Sequence, residues 1–335
     1  IHHLYQETKK IMDNVESSAF SDAQLSIQQL TNELKKVMVG QDSVIEQTIL
    51  CLLAAGHALV EGVPGLGKTL LVRSLSQAMG GKFNRIQFTP DLMPSDVSGH
   101  AMFNKQSDNF VIRKGPVFCN LLLADEINRA PAKTQSSLLE AMQEQQVTVE
   151  GQSLPLPSPF MVMATQNPLE HEGTYPLPEA QLDRFLLHIW VDYPSVEEEI
   201  ELSKRLSANV GDQLDVSAIQ PVMSLEKVQE LQLLLTKMEV DQSIHEYAVR
   251  LVRATRDWHG IEVGAGPRGS LALLRVAKAH ALMQGRAFVL PDDIKSMAVS
   301  VLRHRIRLTA ELEIEGIGAS QVINELLQNV EAPRV

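Results

Sequence analysis

Eight residues, Gly62-Val63-Pro64-Gly65-Leu66-Gly67-Lys68-Thr69, have the spacing G-x-x-x-x-G-K-[ST]. That pattern is suited to holding a phosphate chain. The glycines let successive backbone N–H groups turn inward on an anion. Lys68 supplies charge for the outer phosphates, and Thr69 offers a hydroxyl to Mg²⁺. The pattern is informative only between a strand and a helix. Strand-like His57-Ala58-Leu59-Val60 precedes it, and a run with helical character starts at Leu70. The phosphate is thereby placed at a helix N-terminus, where the dipole and free N–H groups favour it. Val39, Gly40 and Gln41, before the next helix upstream, could border the base and ribose. A simple capped turn is the competing reading there.

Binding is not hydrolysis, which needs further groups. Leu121-Leu122-Leu123-Ala124-Asp125-Glu126 is an apolar strand ending in two carboxylates. Asp125 is suited to hold Mg²⁺ through water and Glu126 to polarise an attacking water. Taken alone, the pair also reads as a strand ending in a charged turn. The run Ala164-Thr165-Gln166-Asn167-Pro168 ends a second strand. The neutral amide of Asn167, donor and acceptor at once, suits a terminal phosphate and a water, although Asn before Pro is also a turn former. Arg184, just before a third strand, could reach the terminal phosphate bound by a neighbouring subunit. Such an arginine is worth about 10³ to 10⁵ in rate, whereas an Asp183–Arg184 surface pair would contribute at most about 1 kcal/mol. Arg268 opens a helix after Gly264-Ala265-Gly266-Pro267. A cation there opposes the helix dipole and asks for an anion, either a nucleotide phosphate or a nearby carboxylate. Arg129 is a candidate second cation at a subunit interface. The ten histidines show no metal-ligand spacing, and His57 and His280 read as structural.

The elements that must position these groups can be read from the pattern of apolar residues. Short non-alternating apolar runs near 57–62, 84–88, 121–125, 160–165 and 186–191 suggest strands buried on both faces, as in a parallel sheet covered by helices. Hairpins are expected at 99–114 and 146–156. After Asp192-Tyr193-Pro194 the pattern turns helical, near 196–206, 224–238, 243–257, 268–284 and 291–303. Helices are also expected around Leu30, Leu34 and Val37 and over 42–55, with residues 1–22 as a separate helical extension. A chain of 335 residues with 44% hydrophobic residues can build two domains. Its formal net charge of −11 argues against nucleic acid as a main partner. No membrane span or secretory signal is visible, and Cys51 and Cys119 read as buried thiols, so a cytoplasmic protein is expected.

In this order, the phosphate loop, Asp125-Glu126-Ile127-Asn128-Arg129-Ala130-Pro131-Ala132-Lys133-Thr134-Gln135, Ala164–Pro168 and Glu179-Ala180-Gln181-Leu182-Asp183-Arg184-Phe185 resemble the AAA+ ATPases, the MoxR family in particular. The likeness covers residues 25–325. It implies an α/β P-loop NTPase core with a five-stranded parallel sheet in the order 5-1-4-3-2, followed by an all-α lid. The corresponding domains are 1–22, 23–194 and 195–335. It also implies that Lys68 and Thr69 are the Walker A residues, Asp125 and Glu126 the Walker B pair, Asn167 the first sensor, Arg184 the arginine finger and Arg268 the second sensor. ATP and Mg²⁺ would be the cofactors. A homo-oligomer, usually a hexameric ring, would remodel, activate or load metal into protein clients, often ones with von Willebrand factor A domains. Two alternatives remain. One is a nucleic-acid motor, for which the hairpin at 99–114 has Lys105, Arg113 and Lys114 but the hairpin at 146–156 has no Lys or Arg. The other is a nucleotide-gated binding module with little turnover.

Overall fold

The computed structural model describes residues 2–62, 67–105, 108–167, 173–207 and 216–334, the side chains of 2–17 and 206 excepted. They form two compact units, 33–229 and 1–32 with 230–335. Helix α1 (His2–Lys35) is continuous. The sequence expectation set residues 1–22 apart, but no Gly or Pro interrupts the helix between them and Leu34.

In the first unit, α2 (Asp42–Leu53) buries Ile45, Ile49, Leu50, Leu52 and Leu53 and leads to β1 (Ala58–Gly62). Then follow α3 (Lys68–Ala78), β2 (Phe83–Gln87), α4 (Pro94–Ser98), and the hairpin of β3 (Gly99–Asn104) and β4 (Asn109–Lys114). Next come β5 (Leu121–Asp125), α5 (Ala132–Glu144), and a second hairpin of β6 (Gln146–Val149) and β7 (Gln152–Pro155). The unit continues with β8 (Met161–Gln166), α6 (Glu179–Leu182), β9 (Leu187–Val191) and α7 (Val196–Ser207). The five sheet strands pair in the order β2-β5-β8-β1-β9, all in parallel. Numbered along the chain, that is 5-1-4-3-2, as the family likeness implied.

Strand alternation decides which side chains share a face. Leu59, Ile86, Leu122, Ala124, Val162 and Ala164 join Leu138, Leu139 and Met142 of α5 in one core. Arg85, Gln87, Asp125 and Thr165 are out of phase with that set and therefore fall on the opposite face. Gln87 is the direct neighbour of Asp125 across β2 and β5. In the second hairpin Val147 and Val149 are buried in the same core. In the first, Phe103 and Phe110 are exposed and stack edge to face, with centroids 5.5 Å apart.

Helix α8 (Leu225–Lys237) leads into the second unit. There α9 (Gln242–Asp257), β10 (Ile261–Val263), α10 (Pro267–Met283), α11 (Pro291–Leu302), β11 (Arg307–Leu308), α12 (Ala310–Ile314) and α13 (Ala319–Asn329) follow. The sequence expected the long helices but not the small β10–β11 pair or α13, which buries Val322, Ile323 and Leu326. No described helix is long and apolar enough to cross a membrane.

Candidate active site

The C-terminal ends of β1, β5 and β8 open onto a cavity of about 280 Å³, where ligands bind in open α/β sheets. Gly67, Lys68, Thr69, Asp125, Glu126 and Asn167 all line it. Val63, Pro64, Gly65 and Leu66 lie outside the described residues. Gly62 cannot be larger, because a Cβ there would fall 2.2 Å from the Val191 carbonyl oxygen of β9. Gly67, with φ +79°, caps α3, and Leu70 follows in the first turn. Lys68 Nζ donates to Gly62 O at 2.9 Å, at the end of β1. Burial lowers the Lys68 pKa, while Asp125, Glu61 and Glu126 pull it back up.

Thr165 organises the acidic pair. Its Oγ1 donates to Asp125 Oδ1 at 2.6 Å and accepts from the Glu126 backbone N–H at 2.9 Å. Arg85 donates to Asp125 Oδ2 from Nε at 3.2 Å and from Nη2 at 2.6 Å. Glu126 lies just past the strand with φ 55° and ψ 50°. This left-handed conformation costs a non-glycine residue about 1–2 kcal/mol. Its Oε2 accepts from Gln87 Nε2 at 2.7 Å and from Arg129 Nη1 at 3.1 Å. Arg129, a candidate cation for a subunit interface, bonds the acid of its own chain.

The remaining expected residues are placed as follows. Gln41 is buried and borders a small cavity with Met38, Gly67 and Lys68, whereas Val39 and Gly40 line neither cavity. Arg184 lies half-buried between α6 and β9 and does not line the larger cavity. Arg268 is the second residue of α10, exposed, in the helical unit.

A buried side chain links the acidic turn to the segment before Arg184. Gln135, fully buried on α5, donates from Nε2 to Ile127 O at 3.1 Å and to Tyr175 O at 2.9 Å. Tyr175 N–H donates to Asn128 O at 2.6 Å. His57 is structural: its Nδ1 accepts from Val162 N–H at 3.0 Å and its Nε2 faces Met142 O at 3.1 Å. Cys51 and Cys119 are both buried and not joined in a disulfide, and burial pushes the Cys119 thiol pKa up to about 12.

Arg85, Gln87 and the role of Thr165 escaped the sequence reading. The available signal was two polar residues at alternate positions of Phe83-Asn84-Arg85-Ile86-Gln87, a strand that packs Ile86 into the core. The oxygen set of Thr69, Asp125 and Glu126 fits a hard cation such as Mg²⁺, which keeps much of its water and leans on substrate phosphates. Among the described residues no group of three or more His, Cys, Asp or Glu side chains forms a metal cage.

Residues 57–187 match the model of the ATPase family associated with various cellular activities (AAA), and residues 253–326 match the AAA lid domain. The chain is 46% identical over 300 residues to YeaC of Bacillus subtilis, an uncharacterised protein, covering 90% of this chain and 92% of that one. It is 45% identical over 314 residues to the chaperone MoxR1 of Mycobacterium tuberculosis, covering 90% and 81%. A crystal structure from Cytophaga hutchinsonii, of a protein provisionally named an ATPase, matches with a TM-score of 0.88 at 42% identity, over 97% of this chain and 99% of that one.

Proposed function

The chain belongs to the MoxR family of AAA+ ATPases, and from that premise we propose that its ATP hydrolysis drives the remodelling, activation or metal loading of a protein client. Within the proposal, the amides of the phosphate loop and Lys68 bind the outer phosphates. Thr69 and Asp125 hold magnesium, which when bound offsets the charge on the β- and γ-phosphate oxygens. Glu126 accepts a proton from the attacking water, and Asn167 orients that water against the terminal phosphate. Gln41 borders the base. Arg268 senses the terminal phosphate, and Arg184 serves the site of a neighbouring subunit in a ring, hexameric by family likeness. The client is a protein, with a von Willebrand factor A domain as the leading candidate.

The observation that carries the catalytic part is the Thr165 hydroxyl. It bonds the Asp125 carboxylate and the Glu126 backbone N–H, and both acids line one cavity with Lys68. Glu126→Gln tests it. The variant should bind ATP with near-normal affinity and release phosphate at least about 10²-fold more slowly. Ordinary turnover would remove Glu126 from the chemistry. The same variant, held in ATP, should retain the client in a pull-down.

A further inference from the structure

Arg85 brings a second full positive charge to a site that already holds Lys68, and it does so at a specific atom. Its Nε and Nη2 both donate to Asp125 Oδ2, and Nη2 also donates to Gln87 Oε1 at 2.8 Å. The other Asp125 oxygen is engaged by Thr165. The amide of Gln87, oriented by Arg85, donates in turn to Glu126. One guanidinium therefore covers the outward oxygen of the carboxylate assigned to the metal and also steadies the group that restrains the other acid.

Exposure decides whether this pair is permanent. The Arg85 side chain is 46% exposed and that of Asp125 19%, so the arginine's side of the pair is open to water and can be displaced, unlike a fully buried partner. The contrast is Asp293, 1% exposed and locked by Arg286 and His280. A divalent cation with its water shell requires the same Asp125 oxygen, and a displaceable arginine stands on it.

We propose that Arg85 is an internal counter-ion that competes with the divalent metal for Asp125. When metal and nucleotide bind, Arg85 yields Asp125 Oδ2, and as it leaves, Gln87 loses the contact that orients it toward Glu126. The exchange is electrostatic and no covalent bond changes. This inference rests on the nucleotide reading and adds to it that the metal must displace Arg85 to gain Asp125 Oδ2.

The test is equilibrium binding of a fluorescent, slowly hydrolysed ATP analogue to the full chain, titrated with Mg²⁺ at fixed analogue concentration. Arg85→Gln should reach half-maximal binding at roughly two- to fivefold lower Mg²⁺ than wild type. Arg85→Lys, which keeps the charge but loses the two-pronged contact, should shift less in the same direction. It supplies the comparison if Arg85→Gln fails to fold. An unmoved midpoint in both variants overturns the proposal. A midpoint moved to higher Mg²⁺ overturns it too, and marks Arg85 as a phosphate ligand instead. Wild type that fails to bind the analogue at any Mg²⁺ concentration sinks the nucleotide reading and this inference together. Wild type that binds while the variants do not shift downward sinks this inference alone.

Discussion

One hydroxyl keeps the acidic pair aligned. Thr165 is 2% exposed and satisfies both an Asp125 oxygen and the Glu126 N–H. Thr165→Val preserves shape but removes the hydroxyl from Asp125 Oδ1 and the Glu126 N–H, at a cost of about 1–3 kcal/mol. The expected result is a lower melting temperature together with slower phosphate release, both restored by Thr165→Ser. Melting curves and a phosphate assay check it; a Val variant with normal turnover would make the hydroxyl dispensable. The phosphate loop and Asp125-Glu126 were legible in the sequence because each is a contiguous run whose spacing is itself the geometry. Arg85 and Gln87 were not, since their contacts with Asp125 and Glu126 span 40 and 39 positions. Those contacts exist only because β2 lies beside β5, and nothing in Phe83–Gln87 announces its neighbour.

At the scale of elements, the junction of α10 and α11 is held by charge. Asp293 accepts from both Nη atoms of Arg286 at 2.8 and 2.6 Å, from Leu290 N–H at 2.7 Å, and lies 2.6 Å from His280 Nδ1. Burial alone would raise the Asp293 pKa; the donors from Arg286, His280 and Leu290 outweigh it and hold it at about 2, against an ordinary 3.8. Because the folded value is the lower one, the group stabilises the fold above about pH 4. That contribution, about 2 kcal/mol, is lost as pH falls from 4 toward 2. Asp293→Asn should lower the melting temperature at pH 7 and flatten the loss of stability on acidification. An unchanged acid limb would remove Asp293 from that role. The sequence showed the helix start at Pro291-Asp292-Asp293, since a proline followed by acids is a local signal. It could not show that the second of the two acids is buried, because its partners His280 and Arg286 come from the preceding helix and loop. Helix α13 was missed for a related reason: its three buried positions, Val322, Ile323 and Leu326, make a stripe too short to stand out from sequence.

At the scale of the whole molecule, apolar runs such as Leu121–Ala124 revealed a parallel sheet covered on both faces, but strand order came only through family likeness. The expected assembly supplies the last prediction. Arg184→Ala alone should lose roughly 10³-fold or more in turnover. Mixed with Glu126→Gln subunits, which keep Arg184, it should recover part of that activity, as phosphate release across a range of mixing ratios would show. No recovery at any ratio would confine Arg184 to its own subunit. In the proposed ring, Gln135 would have a further property. It binds the turn that carries Glu126 to the strand of chain that leads to Arg184. A seat that relaxes after cleavage would then shift Arg184, the arginine proposed to serve the neighbouring site. News of spent fuel would pass around the circle through one buried amide, with no long-range wave through the sheet required.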